Sequence, residues 1–168
     1  MVKYLFLSVF VCLSAFAQEA KPFARSHAGR TVYTYNFSQL EKRLQAKSDT
    51  VYVVNFWATW CAPCVKELPY FDRIGTEYKS QKVKVLLVSL DMNKQVESSL
   101  LPFLIRKNIR QEVIHLHEPD ANAWIPKVNA QWSGALPATL IFTAADRKFY
   151  ERSFTYEELE QEVKHFLK

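Results

Sequence analysis

Apolar residues fall along this chain in two regimes, short unbroken runs and stripes at helical spacing. The run Val51–Trp57 (VYVVNFW) is β-branched and aromatic almost throughout, the pattern of a strand buried on both faces. Over residues 62–78, Val65, Leu68, Phe71, Ile74 and Tyr78 recur at steps of three and four, which predicts a helix with one apolar face. Pro69 sits inside that stripe and predicts a kink, because it lacks an N–H and crowds the preceding turn. Residues 83–90 (VKVLLVSL) predict a second buried strand, residues 93–107 a helix interrupted by Pro102, and Glu112–Leu116 a short strand. Upstream, residues 31–37 (TVYTYNF) predict a first strand, and Leu40 and Leu44 a short helix. Downstream, TLIF at 139–142, a polar turn at 144–147 and KFYERSF predict a hairpin. Thr155-Tyr156-Glu157-Glu158 forms a capping box ahead of a helical face made by Leu159, Val163, Phe166 and Leu167. Strands alternate with helices early, and a hairpin plus a helix comes late. That order predicts an α/β fold, a central mixed sheet with helices on both faces.

The amino-terminal end follows a different pattern. Residues 1–17 (MVKYLFLSVFVCLSAFA) carry one lysine, an apolar run and a small-x-small ending before Gln18-Glu19, which reads as a secretory signal peptide. The run is short for a spanning helix, which needs roughly 20 apolar residues, although an uncleaved anchor stays open. Residues 18–30 have little apolar content and no period, so a flexible tether is expected there, with the domain proper over 31–168. With 168 residues, 49% of them hydrophobic, the chain can build one core of ordinary size.

Charge and glycine content narrow the function classes. The net charge is +5, but the charges are interspersed, with no basic arm that would mark a nucleic-acid binder. The three glycines, Gly29, Gly75 and Gly134, are too scattered to write a phosphate-cradling loop or a dinucleotide fingerprint. No cofactor is expected.

Removing residues 1–17 takes Cys12 with it and leaves two cysteines, Cys61 and Cys64, in FWATWCAPCVKELP. A single pair in an exported domain of this size is far below the density of a disulfide-built scaffold, and so short a loop gains little from closure. A zinc or copper site needs further ligands. Of His27, His115, His117 and His165, only His115-Leu116-His117 is a close pair, and a metal chaperone using Cys61, Cys64 and His117 stays open. Thiol exchange suits the position best. The predicted strand-to-helix junction puts free N–H groups and a positive dipole end beside Cys61, favouring its thiolate. Cys64, one turn further in, can then resolve a mixed disulfide. Pro63 between them shapes the turn.

These residues resemble a family. W-C-x-P-C after a buried strand, with a proline five residues beyond the second cysteine, is similar to the thioredoxin active site, and GALPATLIF at 134–142 is similar to the segment carrying its cis-proline. The exported start, NFWATWCAPC and C-x-x-E-x-P resemble the TlpA/ResA-like thiol-disulfide oxidoreductases most. The resemblance implies a thioredoxin-like fold with an insertion after the central strand, over residues 91–133. It implies Cys61 as nucleophile, Cys64 as resolving thiol, Pro137 as cis-proline, and Trp60, Ala62, Pro63 and Leu136 facing a substrate chain. It further implies protein disulfides of exported proteins as substrates, such as apocytochromes in cytochrome c maturation, and a membrane thiol-disulfide electron donor. A disulfide-forming oxidant would use the same two sulfurs, and an adaptor that only docks is a third reading. Two departures stand out: Asn55 replaces the buried aspartate of cytoplasmic thioredoxins, and Ala138 follows the proline. Glu67, three residues after Cys64, is expected to tune the cysteines or carry the Cys64 proton.

Overall fold

The computed structural model describes residues 21–168, and the signal-like segment 1–17 lies outside them. Seven strands make one sheet: β1 (Phe23–His27), β2 (Arg30–Tyr35), β3 (Val51–Trp57), β4 (Val83–Ser89), β5 (Glu112–Leu116), β6 (Ala138–Phe142) and β7 (Arg147–Tyr150). Their spatial order is β1-β2-β5-β4-β3-β6-β7. Strands β2, β5, β4 and β3 run parallel, and β6 pairs antiparallel with β3, so the sheet is mixed as its pattern predicts.

Five α-helices cover it: α1 (Phe37–Leu44), α2 (Ala62–Glu77), α3 (Leu101–Arg106), α4 (Ala121–Val128) and α5 (Tyr156–Phe166). On one face Leu68, Phe71 and Ile74 of α2 join Leu101 and Leu104 of α3 and Leu159 and Val163 of α5. On the other, Leu40 and Leu44 of α1 join Trp124 and Val128 of α4. The capping box of α5 forms as expected, with Thr155 accepting from the Glu158 N–H. Helix α2 continues through Pro69 to Glu77. Ahead of Pro102 the chain widens into a π-helical turn, Val96–Leu100, where the Leu101 N–H reaches back to the Val96 carbonyl; a wider turn accommodates a ring that an α-helical turn would exclude.

One expectation needs correction. Part of the segment expected as a tether over 18–30 is strand β1, paired in register from Phe23↔Thr34 to His27↔Arg30. Ala28 and Gly29 make the connection, both with positive φ, the backbone that a two-residue hairpin requires. Strand β1 shows no apolar period because it is an edge strand exposed along most of its length. Helix α4 is capped by the Asp120 side chain accepting from the Ala123 N–H, and Trp124 and Trp132 are buried against Phe56.

The inserted segment widens the sheet. It sends β5 between β2 and β4, parallel to both, and returns as α4 over the face that α1 alone would leave open.

Phe56 has no exposure, and its ring centroid lies 4.8 Å from that of Trp132 and 6.2 Å from that of Trp124. Phe56→Ala is expected to cost about 3–5 kcal/mol through lost burial and the cavity left behind, read as a lower urea midpoint with an unchanged slope.

Candidate active site

Strand β3 delivers the chain to the site. Past Trp57 the backbone turns sharply: the Cys61 N–H donates to the Ala58 carbonyl at 3.1 Å, and the Leu90 N–H ties the end of β4 to the Trp57 carbonyl at 2.8 Å. Cys61 then takes the N-cap of α2, with Pro63 in the first turn, where its missing N–H leaves nothing unsatisfied. The Cys64 N–H points at Cys61 Sγ, 3.3 Å away. The two sulfurs are joined in a disulfide. Cys61 keeps 6% of its surface and Cys64 none, so an incoming partner reaches the first sulfur and not the second. Trp60, 60% exposed, and the exposed Ala62 and Pro63 form an apolar rim around it.

A second wall comes from β6. Its last pair with β3 is Phe56↔Ala138, which sets Pro137 one step beyond, at the same sheet edge as Cys61. The Leu136–Pro137 peptide is cis. The loop ahead of it is tied down: the Trp132 indole N–H donates to the Ala135 carbonyl at 2.9 Å, and the Glu151 carboxylate accepts from the Ser133 and Ala135 N–H groups. Gly134 bends this loop with φ +92, a conformation other residues seldom adopt. Leu136 is half-buried and Pro137 buried.

Glu67 lies one helical turn past Cys64 on the buried side of α2, with 1% exposure. Its carboxylate accepts the Phe154 N–H at 2.8 Å and the Asn55 amide at 3.1 Å. Burial pushes its pKa up to about 7, against the opposing pull of the Phe154 N–H, the Asn55 amide and the Arg152 charge. Asn55 also donates to Thr139 Oγ1 at 3.1 Å, joining the acid to β6 two residues past the cis-proline. Glu67 also lines a groove of about 320 Å³ together with Pro63, Tyr70 and Phe154.

Sequence reasoning left several members of the site unread. Asn55 stands out in the sequence only as a departure from an aspartate, yet it is the partner of Glu67. Phe154 contributes through its backbone, which no side-chain pattern can announce. Asp91 and Ser89 were readable as a polar S-x-D step closing a buried strand; Asp91 is buried and bonds Thr59, next to Trp60. His115 is buried with both ring nitrogens bonded, to Thr34 and to the Asp91 carbonyl, which removes it as a metal ligand. Among the described residues no group of three or more His, Cys, Asp or Glu side chains is placed to hold a metal ion.

The model of the AhpC/TSA family matches residues 18–146. The thiol-disulfide oxidoreductase ResA of Geobacillus thermodenitrificans is 28% identical over 145 residues, 80% of this chain and 75% of that protein. The ResA of Oceanobacillus iheyensis is 51% identical over 39 residues, which are 23% of this chain and only 20% of that protein's length. A solved thiol:disulfide interchange protein of the thioredoxin family from Chlorobium tepidum superposes with a TM-score of 0.61, covering 90% of this chain and 100% of its own at 17% identity, a likeness of fold. The chain belongs to the AhpC/TSA family, and within its thioredoxin fold it is a TlpA/ResA-like thiol-disulfide oxidoreductase.

Proposed function

We propose that the chain works outside the cytoplasm as a reductant of disulfides in exported proteins, with Cys61 attacking and Cys64 resolving. The observation that carries this reading is the division of labour between the two sulfurs: Cys61 caps α2 at the surface, while Cys64 lies buried behind it next to a turn that holds Glu67. In the reduced form, the Cys61 thiolate attacks one sulfur of the partner disulfide. A mixed disulfide forms and the first partner thiolate leaves. Cys64 gives its proton to the Glu67 carboxylate, and its sulfur attacks Cys61 Sγ. That step forms the Cys61–Cys64 bond and releases the second partner thiolate, so two electrons have passed to the partner. A donor dithiol then restores the reduced pair by the same exchange run in reverse.

Trp60, Ala62, Pro63, Leu136 and Pro137 flank Cys61 on two sides and would hold the partner chain while its sulfur is in reach. The reductive direction is supported by the charge next to the pair. An oxidant stabilises its thiolate form, whereas a buried carboxylate beside the resolving cysteine disfavours a neighbouring thiolate and so favours the disulfide. The signal-like residues 1–17 and the likeness to ResA support an extracytoplasmic place, apocytochrome C-x-x-C-H sites as a substrate class, and a membrane thiol-disulfide donor.

The midpoint of the pair tests the direction. Purified protein is equilibrated in graded thiol-disulfide buffers and the peptide bearing Cys61 and Cys64 is followed. A value near about −270 mV is expected, and one near about −120 mV would replace the reductant with an oxidant. Cys61→Ser is expected to abolish disulfide reduction, and Cys64→Ser to accumulate mixed disulfides because the second attack is lost; a docking adaptor would keep its cellular role in both variants.

Glu67 also predicts a pH signature. Its folded pKa of about 7 lies above the ordinary 4.5, so the native state binds the extra proton between those values and stability falls as pH rises through that window. Relative to Glu67→Gln, the wild type is expected to lose unfolding free energy from pH 4.5 to 7 and then to run parallel. A difference that stays flat with pH would remove the buried-acid assignment.

A further inference from the structure

A bonded chain of side chains outside the exchange pair ends at the turn that presents Cys61. Asp91 is buried just past β4. Its carboxylate accepts the Thr59 N–H at 3.2 Å on each oxygen, the Thr59 hydroxyl, and the Ser89 hydroxyl at 2.7 Å. The Asp91 N–H returns a bond to Ser89 Oγ at 3.2 Å. Both oxygens are thus tied to the turn or to the end of β4, as a buried carboxyl group must be. It is retained here in contact with the residue two positions before the attacking cysteine.

The carbonyl of Asp91 is held as well. His115 Nε2 lies 2.9 Å from it, and His115 Nδ1 lies 3.1 Å from Thr34 Oγ1. The Asp91 carbonyl can only accept, so Nε2 carries the proton of a neutral ring and Nδ1 accepts from the Thr34 hydroxyl, which itself accepts from Arg25 at 3.1 Å. The imidazole then donates from Nε2 to Asp91. The brace therefore runs from β2 through the inserted strand β5 to the end of β4, and from there to the turn.

We propose that Asp91 is the positioning residue of Cys61, acting through Thr59, with His115 as the brace that holds Asp91 in place. The proposal rests on the exchange reading of the cysteine pair. Between Ala58 and Cys61 the turn contains only Thr59 and Trp60. Trp60 is exposed, so Thr59 is where the turn can be fixed from inside. Fixing it sets the direction in which the chain enters α2 and keeps Cys61 Sγ over the Cys64 N–H, where a thiolate is stabilised. The carboxylate also acts on Cys61 by its charge, with the opposite sign: a nearby negative charge disfavours a thiolate. The two effects are separable by mutation.

The test is the pH profile of Cys61 alkylation by iodoacetamide in the reduced full chain, followed by mass spectrometry on the peptide that carries it. The midpoint of the pair is measured alongside. Thr59→Val removes the hydroxyl without changing charge, Asp91→Asn removes the charge, and Thr59→Ser restores the hydroxyl. The positioning role predicts that Thr59→Val and Asp91→Asn both raise the Cys61 pKa, lowering the thiolate fraction at pH 6 by about threefold to tenfold, with Thr59→Ser at the wild-type value. A fall in pKa in Asp91→Asn with no change in Thr59→Val would make Asp91 a charge effect and overturn the proposal, as would unchanged profiles in both. If Asp91→Asn does not fold, Thr59→Val against Thr59→Ser decides alone. A wild-type protein with no reversible Cys61–Cys64 midpoint would instead remove the exchange reading itself, a result separate from any shift among the variants.

Discussion

The site depends on the place of β3 in the sheet. It is paired on both sides, parallel to β4 and antiparallel to β6, and that combination brings the end of β3, the end of β4 and the start of β6 to one edge. Cys61, Asp91 and Pro137 come from those three places. Because β3 is locked by hydrogen bonds on both sides and by two hydrophobic cores, the turn that follows it begins from a fixed point. Local features then need only to hold four residues, and the sheet does not have to be rebuilt around the chemistry.

A second constraint is electrostatic. The chain is basic as a whole, yet two buried carboxyl groups, Glu67 on α2 and Asp91 beside Thr59, flank the segment that carries the cysteines. They are satisfied in different ways. Glu67 accepts one backbone N–H and one amide, which is too little to offset its burial, and its pKa rises to about 7. Asp91 accepts from two hydroxyls and a backbone N–H, a set that suits an anion. The two acids thus differ in the hydrogen-bond donors that face them.

The sequence made the cysteine pair, the helix behind it and both central strands legible, because burial on both faces and a 3.6-residue stripe each leave an unambiguous pattern. The capping box of α5 was equally readable. The first strand was not, since an exposed edge carries no alternation, and its turn uses Ala28-Gly29 rather than the usual Asn-Gly or Asp-Gly. Helix α4 escaped because eight residues containing Pro126 are too few to show a period. At the site, residues placed by side-chain type, such as Cys61 and Glu67, were visible as candidates. Residues that act through the backbone or across the sheet, such as Phe154, Asn55 to Thr139, and His115 to Asp91, become neighbours only after folding.

The insertion of β5 between β2 and β4 also makes the place of the amino-terminal hairpin in the sheet a long-range one. Tyr33 of β2 pairs with Ile114 of β5, and β2 has no other neighbour in the sheet except β1. Outside the sheet the β1–β2 hairpin rests on the π-helical turn Val96–Leu100 and on α3, but its place in the sheet is made by β5. The unit β3-α2-β4, with its cysteines, can form from contacts much closer in sequence. The cysteine pair is thus enclosed by a helix and strands adjacent in sequence, while the amino-terminal hairpin joins the sheet through a partner some eighty residues further along the chain.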